Sequence, residues 1–301
     1  MKKRLLSAMP SQTFAEGALD AAQQTGKLSY DGYKKVWSDE FNGDSLNRAD
    51  WNVETHEKGW VNNELQEYVD SAENIQVKDG KLIINPVKKV TDGDTGSTKE
   101  AASYTSGRVS TQNKQTFIYG RFECRAKVPK GQGYLPAFWL MANDENVYGQ
   151  WPRCGEIDCM EVMGQETNKA YGTLHYGNPH SQSQGTYTIT DGADFSDDFH
   201  IYTCDWEPGK ITWYVDGVKY HEESEWHSTT VGQGTLAYPA PFDQPFYIIL
   251  NLAVGGSWVG NPNDETSFEN NPYVIDYVRV YQKDSYDEDV KRPGEISLVM
   301  S

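Results

Sequence analysis

Three acidic residues stand close together in a segment that otherwise has the pattern of a β-strand. They are Glu156, Asp158 and Glu161, within residues 151–162. A buried carboxylate is costly unless it is paired or its pKa is shifted, so three converging acids indicate carboxylate chemistry. Paired carboxylates are the groups that carry out glycoside hydrolysis. The alternative is a solvated strand edge, but the apolar and aromatic neighbours of these acids fit the wall of a cleft better.

The spacing of the acids determines where each side chain points. Side chains alternate across a sheet, so Glu156 and Asp158 share a face. Glu161 is five positions from Glu156 and would point the other way. One inserted residue, a β-bulge, would return it to the shared face, and bulges recur beside active sites because they re-aim side chains. The two glutamates would then flank a space, with Asp158 helping to set the ionisation of Glu156 by a shared proton or hydrogen bond.

Composition and short alternating runs favour an all-β fold. The chain of 301 residues has 19 Tyr, 10 Phe, 9 Trp and 27 Gly, which favours an antiparallel sandwich. Two curved sheets would place Glu156 and Glu161 on the floor of an open groove. Hairpin turns are predicted at residues 79–80 and 216–217, both Asp-Gly. The predicted strands are 36–41, 74–77, 81–85, 106–110, 118–128, 134–141, 156–163, 169–175, 199–207, 210–215, 246–253 and 273–282.

One domain is expected to carry the chemistry. Residues 33–283 form this catalytic domain, residues 1–32 an N-terminal extension or linker, and residues 284–301 a C-terminal tail or linker. Residues 13–24 are either a short helix or part of the linker, and residues 91–100 form a loop. We expect a monomer, and the flanking segments favour one module of a larger protein.

Charge and hydropathy exclude two classes of partner. A net charge of −17 argues against nucleic acid, whose phosphates demand Lys and Arg. No apolar run reaches 18 residues, so no membrane-spanning helix is expected. The first residues are basic but lack the apolar core of a signal peptide, so the chain is either cytosolic or a module of a larger secreted protein.

The four cysteines are too few and too scattered for a disulfide scaffold or a zinc site. They are Cys124, Cys154, Cys159 and Cys204. Buried free thiols are expected, with one disulfide left open.

The run EIDCME at 156–161 resembles the catalytic signature of glycoside hydrolase family 16, in its bulge-containing subgroup. Further blocks of the family follow in its order and cover roughly residues 33–282. They are VWSDEFNG (36–43), GWVNNE (59–64), YTSGR (104–108), YGRFE (119–123), PAFWLM (136–141), GTLH (172–175), NLAVGGSW (251–258) and DYVRVY (276–281). The blocks are most similar to bacterial laminarinases and β-1,3-1,4-glucanases. The resemblance implies a β-jelly roll of the concanavalin-lectin type.

The resemblance also implies a role for each acid. Glu156 would be the nucleophile that forms a covalent glycosyl-enzyme. Glu161 would be the general acid and then the base that activates water, and Asp158 would assist the nucleophile. These roles need one ionised carboxylate and one protonated carboxyl near neutral pH. No cofactor is implied for catalysis.

Several further residues match family positions that contact sugar. Aromatic rings suit flat sugar faces, and the matching residues that would line the cleft are Trp60, Trp139, Trp151 and Trp258. Asn63, Arg108 and His175 would hydrogen-bond sugar hydroxyls, although a core role for His175 stays open. The tryptophans predicted to lie in the core are Trp37, Trp51, Trp206 and Trp213, while the pattern does not place Trp226.

The resemblance implies a structural calcium ion away from the groove. Glu40, Gly80 and Asp276 match its ligand positions, and oxygen ligands suit calcium. The alternative is that both acids are simply solvated.

The lead hypothesis is a secreted, endo-acting, retaining hydrolase of β-1,3-glucan or mixed β-1,3-1,4-glucan. The alternatives are a non-catalytic glucan-binding module, a transglycosylase or a galactan hydrolase on the same fold. Three intact acids argue against pure binding. The absence of a basic cluster for sulfate esters favours a neutral glucan.

Overall fold

The structure is a computed structural model that describes residues 30–90 and 102–294. The possible helix at 13–24, the loop at 91–100 and most of the N-terminal extension lie outside the described residues. Within the described ranges every regular element is a strand, and no helix is present that could cross a membrane.

Twenty-one strands follow one another along the chain. They are β1 (Tyr33–Asp39), β2 (Asn52–Val53), β3 (Gln66–Tyr68), β4 (Ile75–Lys78), β5 (Lys81–Ile84), β6 (Val87–Val90), β7 (Ala102–Ser106), β8 (Arg108–Ser110), β9 (Thr116–Phe117), β10 (Gly120–Lys127), β11 (Tyr134–Ala142), β12 (Glu156–Glu161), β13 (Lys169–Tyr176), β14 (Ser181–Thr188), β15 (His200–Glu207), β16 (Lys210–Val215), β17 (Val218–Glu223), β18 (Thr229–Thr230), β19 (Gly234–Thr235), β20 (Phe246–Val254) and β21 (Tyr273–Lys283).

Two eight-stranded antiparallel sheets form the body of the domain. The first has the order β17-β16-β15-β10-β21-β5-β4, with β1 paired to β21. The second, hereafter the catalytic sheet, has the order β14-β13-β12-β11-β20-β8-β2, with β9 paired to β20. Two small sheets, β18-β19 and β3-β7-β6, lie beside them, and β3 and β7 are parallel. The predicted all-β sandwich of two antiparallel sheets is confirmed.

Tryptophans and other large side chains fill the space between the sheets. Trp51, Trp206 and Trp213 are fully buried and Trp37 packs at the edge of the core, as predicted. Trp226, which the sequence pattern does not place, is also fully buried. All nine residues of β20 are buried, which explains why this strand appears in the sequence as a continuous apolar run.

The predicted strand at 106–110 is wrong in one respect, because it is two strands in different sheets. Strand β7 ends at Ser106 in a small sheet, and β8 begins at Arg108 in the catalytic sheet. Gly107 lies between them, and a Cβ there would stand 2.6 Å from a side-chain carbon of Ile75. Only glycine lets the backbone cross this close to the neighbouring strand.

Strand β12 contains the predicted bulge. On one side, Phe138 pairs with Met160 and Trp139 pairs with Asp158, so Cys159 has no partner in the ladder. On the other side, the pairing with β13 shifts between Asp158 and Glu161. The extra residue restores Glu161 to the face of the other two acids.

All four cysteines are free and buried, which confirms the expectation of free thiols. No disulfide joins them. Cys159, the extra residue of the bulge, is fully enclosed by the hydrophobic core.

A buried hydrogen bond ties the bulged strand to the opposite sheet. Trp213, on β16, donates from Nε1 to the backbone oxygen of Asp158 at 2.9 Å. Trp206, on β15, makes a hydrogen bond of the same kind to the backbone oxygen of Phe242 at 3.0 Å, away from the three acids. The two tryptophans therefore differ in what they anchor.

We predict that Trp213→Phe lowers the free energy of unfolding by about 1–3 kcal/mol, since a buried acceptor loses its donor. The variant should also lower kcat by about an order of magnitude, because the strand that carries Asp158 loses its anchor. Urea denaturation and initial rates measure the two effects. Trp206→Phe is the matched control and should lose similar stability with kcat unchanged. Equal kcat in both variants would contradict the prediction.

Candidate active site

One cleft of about 810 Å³ runs across the open face of the catalytic sheet. Strands β8, β11, β12, β13, β14 and β20 all contribute side chains to it, together with residues 54–64 and 255–259. On β11 the contributors are alternate residues, Leu135, Ala137, Trp139 and Met141, as a strand requires. The cleft floor is therefore the face opposite to the core.

The three predicted catalytic acids meet on this floor. Glu156 and Glu161 are half-buried and Asp158 is buried. Trp151 donates from Nε1 to Oε2 of Glu156 at 2.7 Å. Nε2 of His175 lies 3.0 Å from Oδ2 of Asp158 and 3.8 Å from Oε1 of Glu156. Each acid thus sits in the cleft with defined neighbours, as the sequence predicts.

Burial and mutual charge raise the pKa of both glutamates. Burial, followed by the charge of Asp158, raises the pKa of Glu156 to about 8. Burial and the charges of Asp158 and Glu156 raise the pKa of Glu161 well above its usual value. A raised pKa suits Glu161 as a general acid. Asp158 is hydrogen-bonded to Glu156, and this contact is one of the causes of the raised pKa of Glu156.

His175 belongs to the acid cluster and is not a core histidine. Burial lowers its pKa, but the hydrogen bond to Asp158 and the charges of Glu156 and Glu161 outweigh burial and bring the pKa to about 9. Its Nδ1 lies 2.7 Å from Nε2 of His180, with the two rings stacked. The imidazolium offsets part of the negative charge on the floor of the cleft.

The four predicted aromatic residues all line the cleft. Trp60, Trp151 and Trp258 are 49%, 45% and 44% exposed, which is unusual for so large an apolar side chain. Trp139 is more buried, and its Nε1 donates to Oδ1 of Asn251 at 2.7 Å. The three exposed indoles present flat surfaces to any ligand in the cleft.

Two predicted sugar-contacting residues differ from expectation in their surroundings. Arg108 is buried and donates from Nε to Oε2 of Glu54 at 2.6 Å, so its charge is already paired. Asn63 is exposed and donates to Oγ of Ser257 at 3.0 Å. Its neighbour Asn62 lines the cleft, and Asn63 does not.

The structure adds residues to the cleft that the sequence analysis does not identify. Glu64 is buried and accepts hydrogen bonds from Gln66 and Asn62, and burial raises its pKa. Glu64 is the last residue of the family block GWVNNE, so the family resemblance could have identified it. Further polar residues line the cleft and belong to none of the family blocks named above. Among them are Glu54, His56, Glu145, His180, Gln182 and Gln184.

The residues predicted to hold calcium lie on or beside strands of the first sheet, and none of them lines the cleft. Both carboxylate oxygens of Glu40 accept hydrogen bonds from Arg279, at 2.9 and 2.8 Å. Oδ2 of Asp276 accepts from Arg125 at 2.7 Å. An arginine thus partners each carboxylate, so the side chains alone are a poor fit to a calcium site.

A second group of possible metal ligands coincides with the acid cluster. Among the described residues, one set of acids and histidines converges closely enough to hold an ion, with ligand atoms within 4.8 Å of one another. The set is Glu156, Asp158 and His175, which are the same residues that form the acid cluster.

The sandwich and its paired carboxylates define a glycoside hydrolase. The signature of Glycosyl hydrolases family 16 matches residues 62–279, and the chain belongs to this family.

Named relatives agree with this membership. The chain is 40% identical over 267 residues to glucan endo-1,3-beta-glucosidase A1 of Niallia circulans, covering 84% of this chain and 38% of that protein. It is 40% identical over 255 residues to glucan endo-1,3-beta-glucosidase of Cryptopygus antarcticus, covering 81% of this chain and 90% of that one. The X-ray structure of endo-beta-1,3-glucanase from Pyrococcus furiosus matches with a TM-score of 0.70 and 38% identity, covering 84% and 95% of the two chains. The chain therefore spans well under half of the first relative and most of the other two.

We predict that Trp151→Phe moves the acidic limb of the kcat/KM profile to higher pH by about one unit. The Nε1 donor stabilises ionised Glu156 and so lowers its pKa. Without the donor that pKa rises, and less of Glu156 is ionised at a given acidic pH. Initial rates across pH measure the shift.

Trp258→Phe is the control, because Trp258 also lines the cleft and makes no hydrogen bond to an acid of the cluster among the described contacts. It should change KM and leave the acidic limb in place. An unmoved limb in Trp151→Phe would contradict the assigned role of the hydrogen bond.

Proposed function

We propose that this chain is an endo-acting, retaining hydrolase of β-1,3-glucan or mixed β-1,3-1,4-glucan. The observation that carries the proposal is the bulge in β12, which places Glu156, Asp158 and Glu161 on one face of an open cleft. The names of the relatives, which are endo-1,3-beta-glucosidases and an endo-beta-1,3-glucanase, support the choice of substrate.

The reaction follows from the two glutamates. Glu156 attacks the anomeric carbon while Glu161 protonates the departing glycosidic oxygen, which leaves a covalent glycosyl-enzyme. Glu161, now ionised, takes a proton from water, and that water displaces Glu156 with net retention of configuration. Asp158 and His175 hold Glu156 in place and adjust its charge through the contacts described above.

The aromatic residues support cleavage within a chain rather than at its end. Trp151 contacts Glu156, at the start of β12. Trp258 packs against Tyr171, which pairs with Glu161 at the other end of the strand. Exposed indoles thus flank the acids on both sides, and sugar rings on both sides of the cleaved bond would have a surface to stack on.

The lack of unpaired basic side chains in the cleft supports a neutral substrate. Six carboxylates line it, and among the described residues Arg108 is the one Lys or Arg that does so. These acids are Glu54, Glu64, Glu145, Glu156, Asp158 and Glu161. Sulfated or carboxylated chains would find no unpaired Lys or Arg among the described lining residues, because Arg108 is already paired with Glu54.

We predict that Glu156→Gln abolishes hydrolysis and leaves glucan binding largely intact, because the amide keeps the shape of the side chain and cannot act as a nucleophile. Reducing-sugar release from laminarin, lichenan, barley β-glucan, agarose and carboxymethylcellulose measures activity and selectivity together. Release by the wild type should be confined to the first three.

Other outcomes of these assays would contradict part of the proposal. Release from agarose would keep the mechanism and overturn the substrate. Binding without release by the wild type would favour a glucan-binding module, and lengthened oligosaccharide products would favour a transglycosylase. Full activity of Glu156→Gln would refute the assignment of the nucleophile.

A structural calcium ion at Glu40, Gly80 and Asp276 is a separate part of the proposal. Its support is the resemblance in sequence, and the ion pairs with Arg279 and Arg125 weigh against coordination by both carboxylates. EGTA should lower the melting temperature, calcium should restore it, and Asp276→Asn should remove the response. A melting temperature that ignores EGTA would dismiss the site.

We also propose that the protein acts outside the cell as a monomer, within a larger protein or alone. The support is the polymeric substrate, which does not cross a membrane. Activity retained inside cells of the natural source would contradict this location, and a solution mass of twice 34.0 kDa would contradict the monomer.

A further inference from the structure

The indole of Trp60 rests on the imidazole of His56. The two rings are 3.5 Å apart between centroids and only 2° from parallel, which is the tightest stack of rings among the described residues. Trp60 is otherwise 49% exposed on the rim of the cleft. His56 therefore covers one face of the indole, and a ligand can stack only on the face that His56 leaves free.

The backbone at His56 is held in place more firmly than the backbone at Trp60. Its backbone exchanges two hydrogen bonds with Tyr68 of β3, at 3.1 and 3.0 Å. Trp60 lies in the turn that follows, between Gly59 with φ of 75° and Asn62 with φ of 51°. The imidazole is anchored to a strand, and the indole belongs to a loop.

The ring of His56 is also fixed in its own plane. Nε2 of His56 lies 2.9 Å from Oε2 of Glu54, and the same oxygen accepts from Nε of Arg108 at 2.6 Å. The guanidinium carbon of Arg108 lies 5.2 Å from the ring of Trp60 and 4.9 Å from the ring of Trp139. Glu54 thus connects the imidazole under Trp60 to a buried arginine on β8.

An unsupported tryptophan on a loop would sample several rotamers. Ordering such a side chain when a ligand binds costs conformational entropy, and a surface that is already held avoids that cost. The parallel stack, with its anchored lower ring, holds the indole plane before any ligand arrives.

We propose that His56 is a positioning residue for glucan binding, which acts by holding the plane of Trp60 ready for a sugar ring. This inference rests on the proposed function, since it takes a glucan as the ligand of the cleft. His56 touches none of the three acids among its described contacts, so its effect is on binding and not on the chemical step.

The test compares His56→Ala with His56→Phe on laminarin. His56→Ala removes the stack and should raise KM by about three- to tenfold, the effect of ordering one side chain, with kcat nearly unchanged. His56→Phe keeps a flat ring under the indole and loses only the bond to Glu54, so it should recover most of the wild-type KM. A fall in kcat with KM unchanged, or no recovery in His56→Phe, would overturn the proposal.

A double-mutant cycle with Trp60→Ala makes the test specific. Once the indole is gone, His56→Ala should have no further effect on KM, because the two residues act as one unit. Additive effects would show that His56 acts by another route. Circular dichroism and melting temperature show whether each variant is folded, and His56→Phe carries the comparison if His56→Ala is not.

Failure of the proposed function would look different from failure of this inference. A wild type that releases nothing from laminarin, lichenan or barley β-glucan would refute the proposed substrate. Acrylamide quenching of tryptophan fluorescence then decides the role of His56 without any substrate. The part of the signal that Trp60→Phe removes should become more quenchable in His56→Ala and stay protected in His56→Phe, and equal quenching in both would overturn the inference.

Discussion

The active face of this enzyme depends on one extra residue in a single strand. A strand permits side chains on one face only at even spacing, and Glu156 and Glu161 are an odd number of positions apart. The bulge at Cys159 reconciles the two, and the bulge is in turn held from behind by Trp213 through the backbone oxygen of Asp158. The packing of the core and the positions of the three acids therefore depend on the same contacts.

Charge is the second constraint, and it follows from the first. Bringing three carboxylates to one face raises the pKa of Glu156 and Glu161, because burial and repulsion both oppose ionisation. His175, across the ladder from Glu156, supplies a compensating positive charge, and Trp151 supplies a hydrogen bond. The two glutamates can then take opposite protonation states in the same small space.

Much of this could be predicted from the sequence, because the informative signals are local. Alternation predicts the two core sheets and the bulge, and the acids and three exposed tryptophans lie where the pattern and the family resemblance place them. Strand β14 was not predictable from alternation, since its residues are polar on both faces at the edge of a sheet.

The features that were not predicted lie in turns and in long-range contacts. The alternation of side chains along a strand gives no information about either. Asn62 and Asn63 both have positive φ, at 51° and 56°, and in such a turn sequence position does not say which side chain faces the cleft. The partner of Arg108 is Glu54, 54 positions earlier, and the contact exists only once the chain has folded. The stacking of His56 under Trp60 depends on the shape of the turn that carries Trp60, and hydrophobic periodicity does not predict that shape.

The excess of carboxylates in the cleft has a consequence for how the enzyme works in mixtures. Anionic polysaccharides carry the same sign of charge as this protein, whose net charge is −17. Such polymers are repelled over a distance set by the ionic strength, about 8 Å at physiological salt, before they reach the floor. A polyanion should therefore compete little with an uncharged glucan for the cleft.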